Sequence, residues 1–172
     1  MASEPEVLFS QDDIRQAIDR IAAEIRRDYQ DKKPLLVGIL KGSAVFLSDL
    51  IRRLEIPVEI EFIRMSSYGS GTVSSGKVTM VQGLKTPIKG RDVLIVEDIV
   101  DTGLTISHLM EYLRKKKPAS LKLCALTDKP SRRQVPVDID YLGFEVPDKF
   151  IIGYGIDWNE QYRYLPDIRY FD

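Results

Sequence analysis

Residues 93–105 read Val-Leu-Ile-Val-Glu-Asp-Ile-Val-Asp-Thr-Gly-Leu-Thr. The four apolar β-formers Val93–Val96 predict a buried strand of a parallel sheet. Two acids, Glu97 and Asp98, stand at its carboxyl end, and residues 101–105 then turn the chain into a helix. Because ligands of open α/β sheets bind just beyond the carboxyl ends of the strands, this segment predicts a ligand site as well as a fold class.

The turn after this strand has the composition of an anion-binding loop. Thr102 and Thr105 supply small hydroxyl groups, and Gly103 allows close wrapping. A helix that begins here presents free backbone N–H groups and a positive dipole end, which together hold a phosphate. Glu97 and Asp98 would repel that phosphate, so they must interact with sugar hydroxyls, a metal or a proton. The alternative is an ordinary strand-to-helix turn with Asp101 as N-cap, which leaves those acids unexplained.

The bulk composition is that of an ordinary globular protein. The chain has 172 residues, 44% hydrophobic and 30% charged, with a net charge of −1. This length predicts one domain over residues 1–172, and the charge creates no field that attracts nucleic acid or anionic membrane. No apolar run approaches the roughly 20 residues of a membrane span, and the acidic N-terminus does not resemble a signal peptide. The single cysteine, Cys124, favours a reducing, cytoplasmic compartment.

Strand-like and helix-like segments alternate along most of the chain. Ser10 followed by Asp13 predicts the start of an amphipathic helix over residues 11–31. This alternation is typical of an α/β fold with a mostly parallel central sheet flanked by helices. Periodicity predicts strands near 35–40, 58–63, 77–82, 93–96 and 121–126, with further helices after residues 43 and 105.

Two segments fall outside that alternation. Residues 66–76 contain three glycines and five serines in eleven positions, which predicts a flexible loop of the kind that often serves as a lid. Near the C-terminus, residues 141–144 and 150–156 are short apolar segments. We expect the segment of about 138–172, with N-terminal residues, to form a small cap, or hood, over the carboxyl edge of the sheet.

The Glu-Asp-Ile-Val-Asp-Thr-Gly-Leu-Thr core resembles the phosphoribosyl-diphosphate (PRPP) motif of the type I phosphoribosyltransferases, especially their hypoxanthine-guanine branch. The resemblance extends from about Leu35 to Arg163 and includes a second specific segment, Gly-Phe-Glu-Val-Pro-Asp-Lys-Phe, at 143–150. It implies the fold of that family and a role in purine salvage. The implied reaction moves the 5-phosphoribosyl group from PRPP to hypoxanthine or guanine, giving IMP or GMP and diphosphate.

The resemblance also implies which residues bind PRPP. Asp101 matches the general base that takes the proton from N7 of the purine, while Glu97 and Asp98 match acids that contact the ribose hydroxyls. The loop that binds the ribose 5-phosphate continues through Thr102, Gly103, Leu104 and Thr105. The resemblance assigns diphosphate binding to Leu40, Lys41, Gly42 and Arg163. It also implies an unusual cis peptide bond before the lysine. Judged without the resemblance, Lys41 could equally be a solvated residue in a helix-entry turn.

Three further positions match the purine pocket of that family. Lys129 matches the lysine that donates to the 6-oxo group of the base, and a cation there suits hypoxanthine or guanine better than the 6-amino group of adenine. Phe150 matches the ring that stacks on the purine, and the backbone of Ile151 reads its edge. Taken alone, a solvated loop lysine and a core phenylalanine are the ordinary interpretations of Lys129 and Phe150.

The resemblance further implies magnesium, a lid and an assembly. Mg²⁺ is the implied cofactor, with Glu97, Asp98 and Asp157 as its carboxylates. Asp157 matches a residue that holds a second magnesium ion on the diphosphate, and it is also assigned to the purine-binding residues. Ser67 and Tyr68 match a Ser-Tyr pair on a mobile lid, which would keep water from a reactive ribose centre. By analogy with the family, we expect a homo-oligomer, either a dimer or a tetramer.

Two other functions compete with this interpretation. A PRPP-sensing regulator would keep the loop and bind nucleic acid, but the net charge of −1 and the lack of a basic domain argue against it. A pyrimidine phosphoribosyltransferase is disfavoured by the purine-pocket matches at Lys129, Phe150 and Asp157. Hypoxanthine, guanine and xanthine stay open as substrates, because their 2-position is contacted largely by backbone.

Overall fold

The computed structural model describes residues 4–67 and 78–171, and a six-stranded sheet forms its centre. The strands are β1 (Glu6–Phe9), β2 (Leu35–Leu40), β3 (Glu59–Ser67), β4 (Val78–Gln82), β5 (Asp92–Val100), β6 (Ser120–Asp128), β7 (Tyr141–Glu145), β8 (Phe150–Ile152) and β9 (Ile168–Phe171). The helices are α1 (Gln11–Asp28), α2 (Ser43–Leu54) and α3 (Leu104–Arg114), with a short 3-10 turn at Pro130–Arg132.

The central sheet has the strand order β4-β3-β2-β5-β6-β7. Every neighbouring pair is parallel except β3 and β4, which are antiparallel. One face of the sheet packs against α1 and α2, and the other packs against α3. The near-continuous apolar sequences of β2 and β5 suit strands that are covered on both faces. The predicted α/β fold with a mostly parallel sheet is confirmed.

The first helix begins where the sequence predicts and ends earlier. Ser10 is the N-cap and forms a capping box with Asp13, whose backbone N–H donates to the Ser10 hydroxyl at 3.2 Å. Helix α1 ends at Asp28 instead of residue 31, because Tyr29 leaves helical geometry at φ −115° and the next residues form a turn. None of the helices within residues 4–67 and 78–171 has the length and apolar character needed to cross a membrane.

Two predicted boundaries are wrong in a way that matters for the site. Strand β5 extends beyond its apolar run to Val100, so Glu97 and Asp98 lie within the strand, where Glu97 is paired with Ala125 of β6. Strand β3 extends to Ser67, which removes residues 66 and 67 from the predicted loop. The remainder of that loop, including Tyr68, which we predicted to lie on a lid, lies outside the described residues.

A second, three-stranded sheet joins the two ends of the chain. Its order is β1-β9-β8, and both pairs are antiparallel. The segment 141–144, which we expected in the cap, instead lies in β7 at the edge of the central sheet, because its backbone pairs with β6. The limits of the predicted single domain and its hood stay a prediction.

Candidate active site

Two adjacent carboxyl groups are buried near the carboxyl end of β5. Glu97 is 7% exposed and Asp98 is 8% exposed. The Asp98 backbone N–H donates to Glu97 Oε1 at 3.0 Å, and the Thr127 hydroxyl donates to the Asp98 carbonyl at 2.8 Å. Burial, together with the nearby Asp98 carboxylate, raises the pKa of Glu97 well above its ordinary value of 4.5. The pair is therefore prepared to hold a proton or a cation.

The turn after β2 packs directly against this acid pair. The Leu40–Lys41 peptide bond is cis, and Gly42 follows it. A Cβ atom at Gly42 would overlap the Asp98 carboxylate, so the close approach of the two segments requires glycine. On the other side, Gly155 packs against the carbonyl oxygen of Gly42. The carboxyl ends of β2 and β5 and the loop after β8 thus meet at one place.

The loop between β5 and α3 has the shape that the sequence predicts, but its helix cap differs. Gly103 is the N-cap residue of α3, with φ 85°, a conformation that favours glycine. The Leu104 N–H donates to the Thr102 hydroxyl at 3.4 Å. Because Gly103 occupies the cap, Asp101 is not the N-cap, and the interpretation of this turn as an ordinary capped helix entry is wrong.

A segment that sequence reasoning missed supports this loop from behind. The backbone N–H groups of Gln134 and Val135 donate to the Thr102 carbonyl at 2.9 and 3.3 Å. The Arg133 side chain donates from Nε to the Asp101 carbonyl at 3.1 Å and also pairs with Asp128. These contacts fix the loop backbone, and no periodic or motif signal in the sequence connects the two segments.

Lys129 and Asp101 lie at neighbouring strand ends. Lys129 is only 5% exposed, so its interpretation as a solvated loop lysine is wrong. Its Nζ donates to the Lys149 carbonyl at 2.6 Å. Burial lowers the pKa of Lys129, and the Asp101 carboxylate partly opposes that shift. Within the described part of the chain, Asp101 Oδ1 is a buried oxygen without a hydrogen-bond partner, and it lies 3.6 Å from Arg132 Nε.

Exposed aromatic rings lie on the small sheet and on the loop that precedes β9. Phe150 is 47% exposed, so it is not a core residue. Its ring meets Trp158 edge-on, with ring centroids 5.9 Å apart, and Trp158 in turn meets Phe171 at 5.3 Å. Ile151, by contrast, is 3% exposed and is held in β8 by pairing with β9. An exposed ring held by other rings offers a face for a planar ligand.

An ion-pair network connects the turn after β2 with the loop after β8. Lys41 Nζ lies 2.7 Å from Glu160 Oε2. Arg163 Nη2 lies 2.9 Å from Asp157 Oδ1 and 3.3 Å from Glu160 Oε1, and its Nη1 donates to the Gly155 carbonyl at 2.7 Å. The structure therefore brings Lys41, Asp157 and Arg163 together. Sequence reasoning missed Glu160, which joins the two cations.

A cavity of about 750 Å³ lies on another part of the surface, between α1, α2 and the segment around residues 154–166. Arg163 belongs to both this cavity and the ion-pair network, whereas Asp101, Lys129 and Phe150 do not line the cavity. Its charged lining residues are Asp12, Arg15, Asp49, Arg52, Arg53 and Arg163. The acid pair, the loop of residues 101–105 and the exposed ring of Phe150 do not line this cavity.

The protein has an α/β fold in which the acid pair, the turn at Gly42 and the loop after β5 lie at the carboxyl edge of parallel strands, where proteins of this class bind ligands. Residues 8–159 match the model of the phosphoribosyl transferase domain, and the chain belongs to that family. It is 47% identical over 162 residues to the hypoxanthine-guanine phosphoribosyltransferase of Bacillus subtilis (strain 168), covering 94% of this chain and 90% of that relative.

Solved structures of related proteins share this fold. A hypoxanthine phosphoribosyltransferase from Staphylococcus aureus superposes with a TM-score of 0.92 at 43% identity, covering 97% of this chain and 91% of that chain. The Trypanosoma cruzi hypoxanthine phosphoribosyl transferase, solved in work on how its C-terminal region affects oligomeric state and activity, has a TM-score of 0.90 at 42% identity and covers 99% of this chain and 92% of that one. The roles of individual site residues stay predictions.

The buried acid pair predicts an unusual dependence of stability on pH. Because the pKa of Glu97 is higher in the folded chain, stability falls as pH rises above the ordinary value of 4.5 and through the folded pKa. We expect Glu97→Gln to unfold at a higher denaturant concentration than the wild type at pH 8, with a difference that shrinks as pH falls toward 4.5. The measurement is urea unfolding in the presence of a metal chelator.

The control for this experiment is Glu111→Gln, whose side chain is 70% exposed on α3 and pairs only loosely with Lys115. It should shift the unfolding midpoint little at either pH. A Glu97→Gln protein that is less stable than wild type at pH 8, or a difference that does not grow with pH, would contradict the described burial of the acid pair.

Proposed function

We propose that the chain catalyses transfer of the 5-phosphoribosyl group from PRPP to hypoxanthine or guanine, giving IMP or GMP and diphosphate in purine salvage. The observation that carries this proposal is the buried Lys129, which interacts electrostatically with Asp101 and donates to the carbonyl of Lys149, the residue before Phe150. A loop suited to phosphate at residues 102–105, the carboxylate of Asp101 and the buried cation of Lys129 are the groups that this transfer needs.

Asp101 is proposed as the general base. In the reaction, the bond between ribose C1 and the diphosphate oxygen breaks, a bond from C1 to the purine N9 forms, and the N7 proton passes to the carboxylate. Asp101 Oδ1 accepts no hydrogen bond from the described residues, and its ion pair with Arg132 is 3.6 Å long, so this oxygen can accept that proton. The support for Asp101 from Arg133, through its backbone carbonyl, limits movement of the base during proton transfer.

Lys129 is proposed to select the base. Its side chain is buried and already donates to one carbonyl oxygen, that of Lys149, so it can donate a further hydrogen to the 6-oxo group of a purine. Adenine carries an amino group at the same position and would place donor against donor, which disfavours it. Phe150 is proposed to stack on the purine, and the backbone of Ile151 to contact its edge.

The developing positive charge on the ribose needs nearby anions. Glu97 and Asp98 are proposed to contact the ribose hydroxyls and to offset this charge, while residues 102–105 bind the 5-phosphate through the loop and the start of α3. Lys41 and Arg163, together with the backbone of Leu40 and Gly42, are proposed to bind the diphosphate.

The carboxylates of the proposed site suit a magnesium ion that binds together with the substrate phosphates. Within residues 4–67 and 78–171, no group of three or more His, Cys, Asp or Glu side chains is arranged to hold a metal. Mg²⁺ binds through one or two carboxylates with substrate phosphates and waters, and the raised pKa of Glu97 marks a pair that would gain from a cation. Glu97 and Asp98 would hold one ion, and Asp157 would hold a second ion on the diphosphate, where it would neutralise charge on the leaving group.

The assembly and the compartment are also proposals. Oligomeric state is a subject of study in the T. cruzi relative, and by analogy we propose a homo-oligomer, a dimer or a tetramer. A chain with a single cysteine is suited to the reducing cytoplasm, where we propose that it works.

The experiment that tests the proposed function measures diphosphate release from PRPP and Mg²⁺ with hypoxanthine, guanine, xanthine and adenine in turn. We expect release with hypoxanthine or guanine and little with adenine. Release with none of the four bases would contradict the proposal and would favour a regulator that binds PRPP without transferring it.

Replacing the proposed general base should slow the chemical step selectively. Asp101→Asn keeps the shape of the side chain but cannot accept a proton, so we expect turnover to fall about 10²–10⁴-fold while PRPP still binds. Steady-state rates and PRPP binding are measured side by side. Asp31→Asn, at an exposed position after α1, is the matched control and should retain wild-type turnover. An unchanged rate in Asp101→Asn would refute the assignment.

Replacing the buried lysine should affect the purine and spare PRPP. Lys129→Met keeps most of the apolar stem but removes the charged donor, so we expect KM for hypoxanthine and guanine to rise about 10–100-fold. KM for PRPP should stay close to wild type. The control is Lys32→Met, which removes an exposed lysine 3.7 Å from Asp92. If both KM values rise together, or neither does, the purine pocket lies elsewhere.

A further inference from the structure

One acidic side chain occupies the position between the two cations proposed to bind diphosphate. Glu160 places Oε2 at 2.7 Å from Lys41 Nζ and Oε1 at 3.3 Å from Arg163 Nη2. Arg163 also pairs with Asp157 at 2.9 Å. The cluster therefore contains two positive and two negative side chains, and it is neutral before any ligand arrives.

The two carboxylates of this cluster are held very differently. Asp157 Oδ1 pairs with Arg163 and its Oδ2 accepts the Glu160 backbone N–H at 2.8 Å, whereas the partners of Glu160 are the side chains of Lys41 and Arg163. Its side chain is 29% exposed, whereas that of Glu160 is 63% exposed. Glu160 is therefore the carboxylate that can turn into solvent without breaking the loop.

The local backbone aims Glu160 at the cations. Asn159, Glu160 and Tyr162 all have positive φ, at 52°, 61° and 71°. Non-glycine residues seldom adopt this conformation, so three of them close together define a specific tight turn. Backbone hydrogen bonds in both directions between Trp158 and Gln161, at 3.2 and 3.0 Å, close that turn. The position of the Glu160 side chain thus follows from an ordered loop.

We propose that Glu160 is an internal anion that competes with diphosphate for Lys41 and Arg163 and so sets the affinity of this site for diphosphate. This inference rests on the proposed function, which assigns the two cations to the diphosphate. When the ligand binds, its oxygens replace the Glu160 carboxylate. When diphosphate leaves, the carboxylate returns, so the cations exchange one anion for another and are not left unpaired.

The charge of Glu160 makes this exchange effective at neutral pH. The Glu160 carboxylate pairs with both Lys41 and Arg163, so its negative charge offsets the two cations before diphosphate binds. Exposed ion pairs are weak, and the competition is correspondingly mild. It tunes the release of product without blocking the entry of substrate.

The test measures binding of inorganic diphosphate by titration calorimetry, with and without Mg²⁺, to the wild type and to Glu160→Gln. We expect the variant to bind diphosphate about two- to tenfold more tightly and its KM for PRPP to fall. Glu160→Ala, which removes the side-chain carboxylate altogether, should shift the affinity in the same direction.

The chain offers a closely matched control. Glu55 also has positive φ, at 54°, and also lies 2.7 Å from a cationic nitrogen, Nη1 of Arg26, far from the site in sequence. Its side chain is 74% exposed. Glu55→Gln should bind diphosphate with wild-type affinity, which separates a local effect at the cation pair from a general effect of removing one negative charge.

Four outcomes would overturn the inference. If Glu160→Gln binds diphosphate no more tightly than wild type, Glu160 does not compete; the same holds if Glu55→Gln tightens binding as much. If Glu160→Ala and Glu160→Gln shift affinity in opposite directions, the charge is not the cause. If the wild type itself binds no diphosphate, the proposed function fails together with the inference, and the wild-type titration makes that case distinguishable.

Discussion

The burial of two adjacent carboxyl groups at the end of β5 is the constraint on which the rest of the site depends. Carboxylates taken out of water cost free energy unless cations, protons or N–H donors compensate them. In the described structure, Glu97 receives one backbone N–H, and its pKa is raised. Such a pair lowers the stability of the protein without ligand. A ligand that brings a cation or hydroxyl donors stabilises the buried pair most.

The two buried acids restrict which residues the neighbouring segments can have. Glycine at position 42 lets the turn after β2 lie against Asp98, and Gly155 lets the loop after β8 lie against that turn. Parallel strands bring their carboxyl ends to one edge, so groups from β2, β5 and β6 converge although they are far apart in sequence. The small sheet and the loop before β9 then add the aromatic rings of Phe150, Trp158 and Phe171 from the C-terminal part of the chain.

The sequence predicts the parts of this arrangement that rest on local patterns. The apolar runs of β2 and β5 indicate buried parallel strands, and the capping box at Ser10 indicates the start of α1. The resemblance of residues 93–105 to the PRPP motif then implies that Glu97 and Asp98 contact the ribose of PRPP. The burial of Lys129 could be expected from that resemblance alone, because a lysine after a strand is ordinarily solvated.

The remaining features depend on contacts between distant segments, which no local pattern reports. The placement of β7 in the central sheet is one, because a short apolar run suits a cap strand as well as an edge strand. The support of Asp101 by Arg133 is another, since 32 residues separate them. Glu160 is a third: an exposed acid in a polar loop gains meaning only when Lys41 and Arg163 are seen beside it.

The most direct measurement is a crystal structure of the protein with GMP bound. Our account predicts the 5′-phosphate at the loop of residues 102–105, the ribose hydroxyls against Glu97 and Asp98, and the 6-oxo group within hydrogen-bond distance of Lys129 Nζ. A nucleotide bound instead in the cavity lined by Arg15 and Arg52, or one whose base lies away from Lys129, would contradict it.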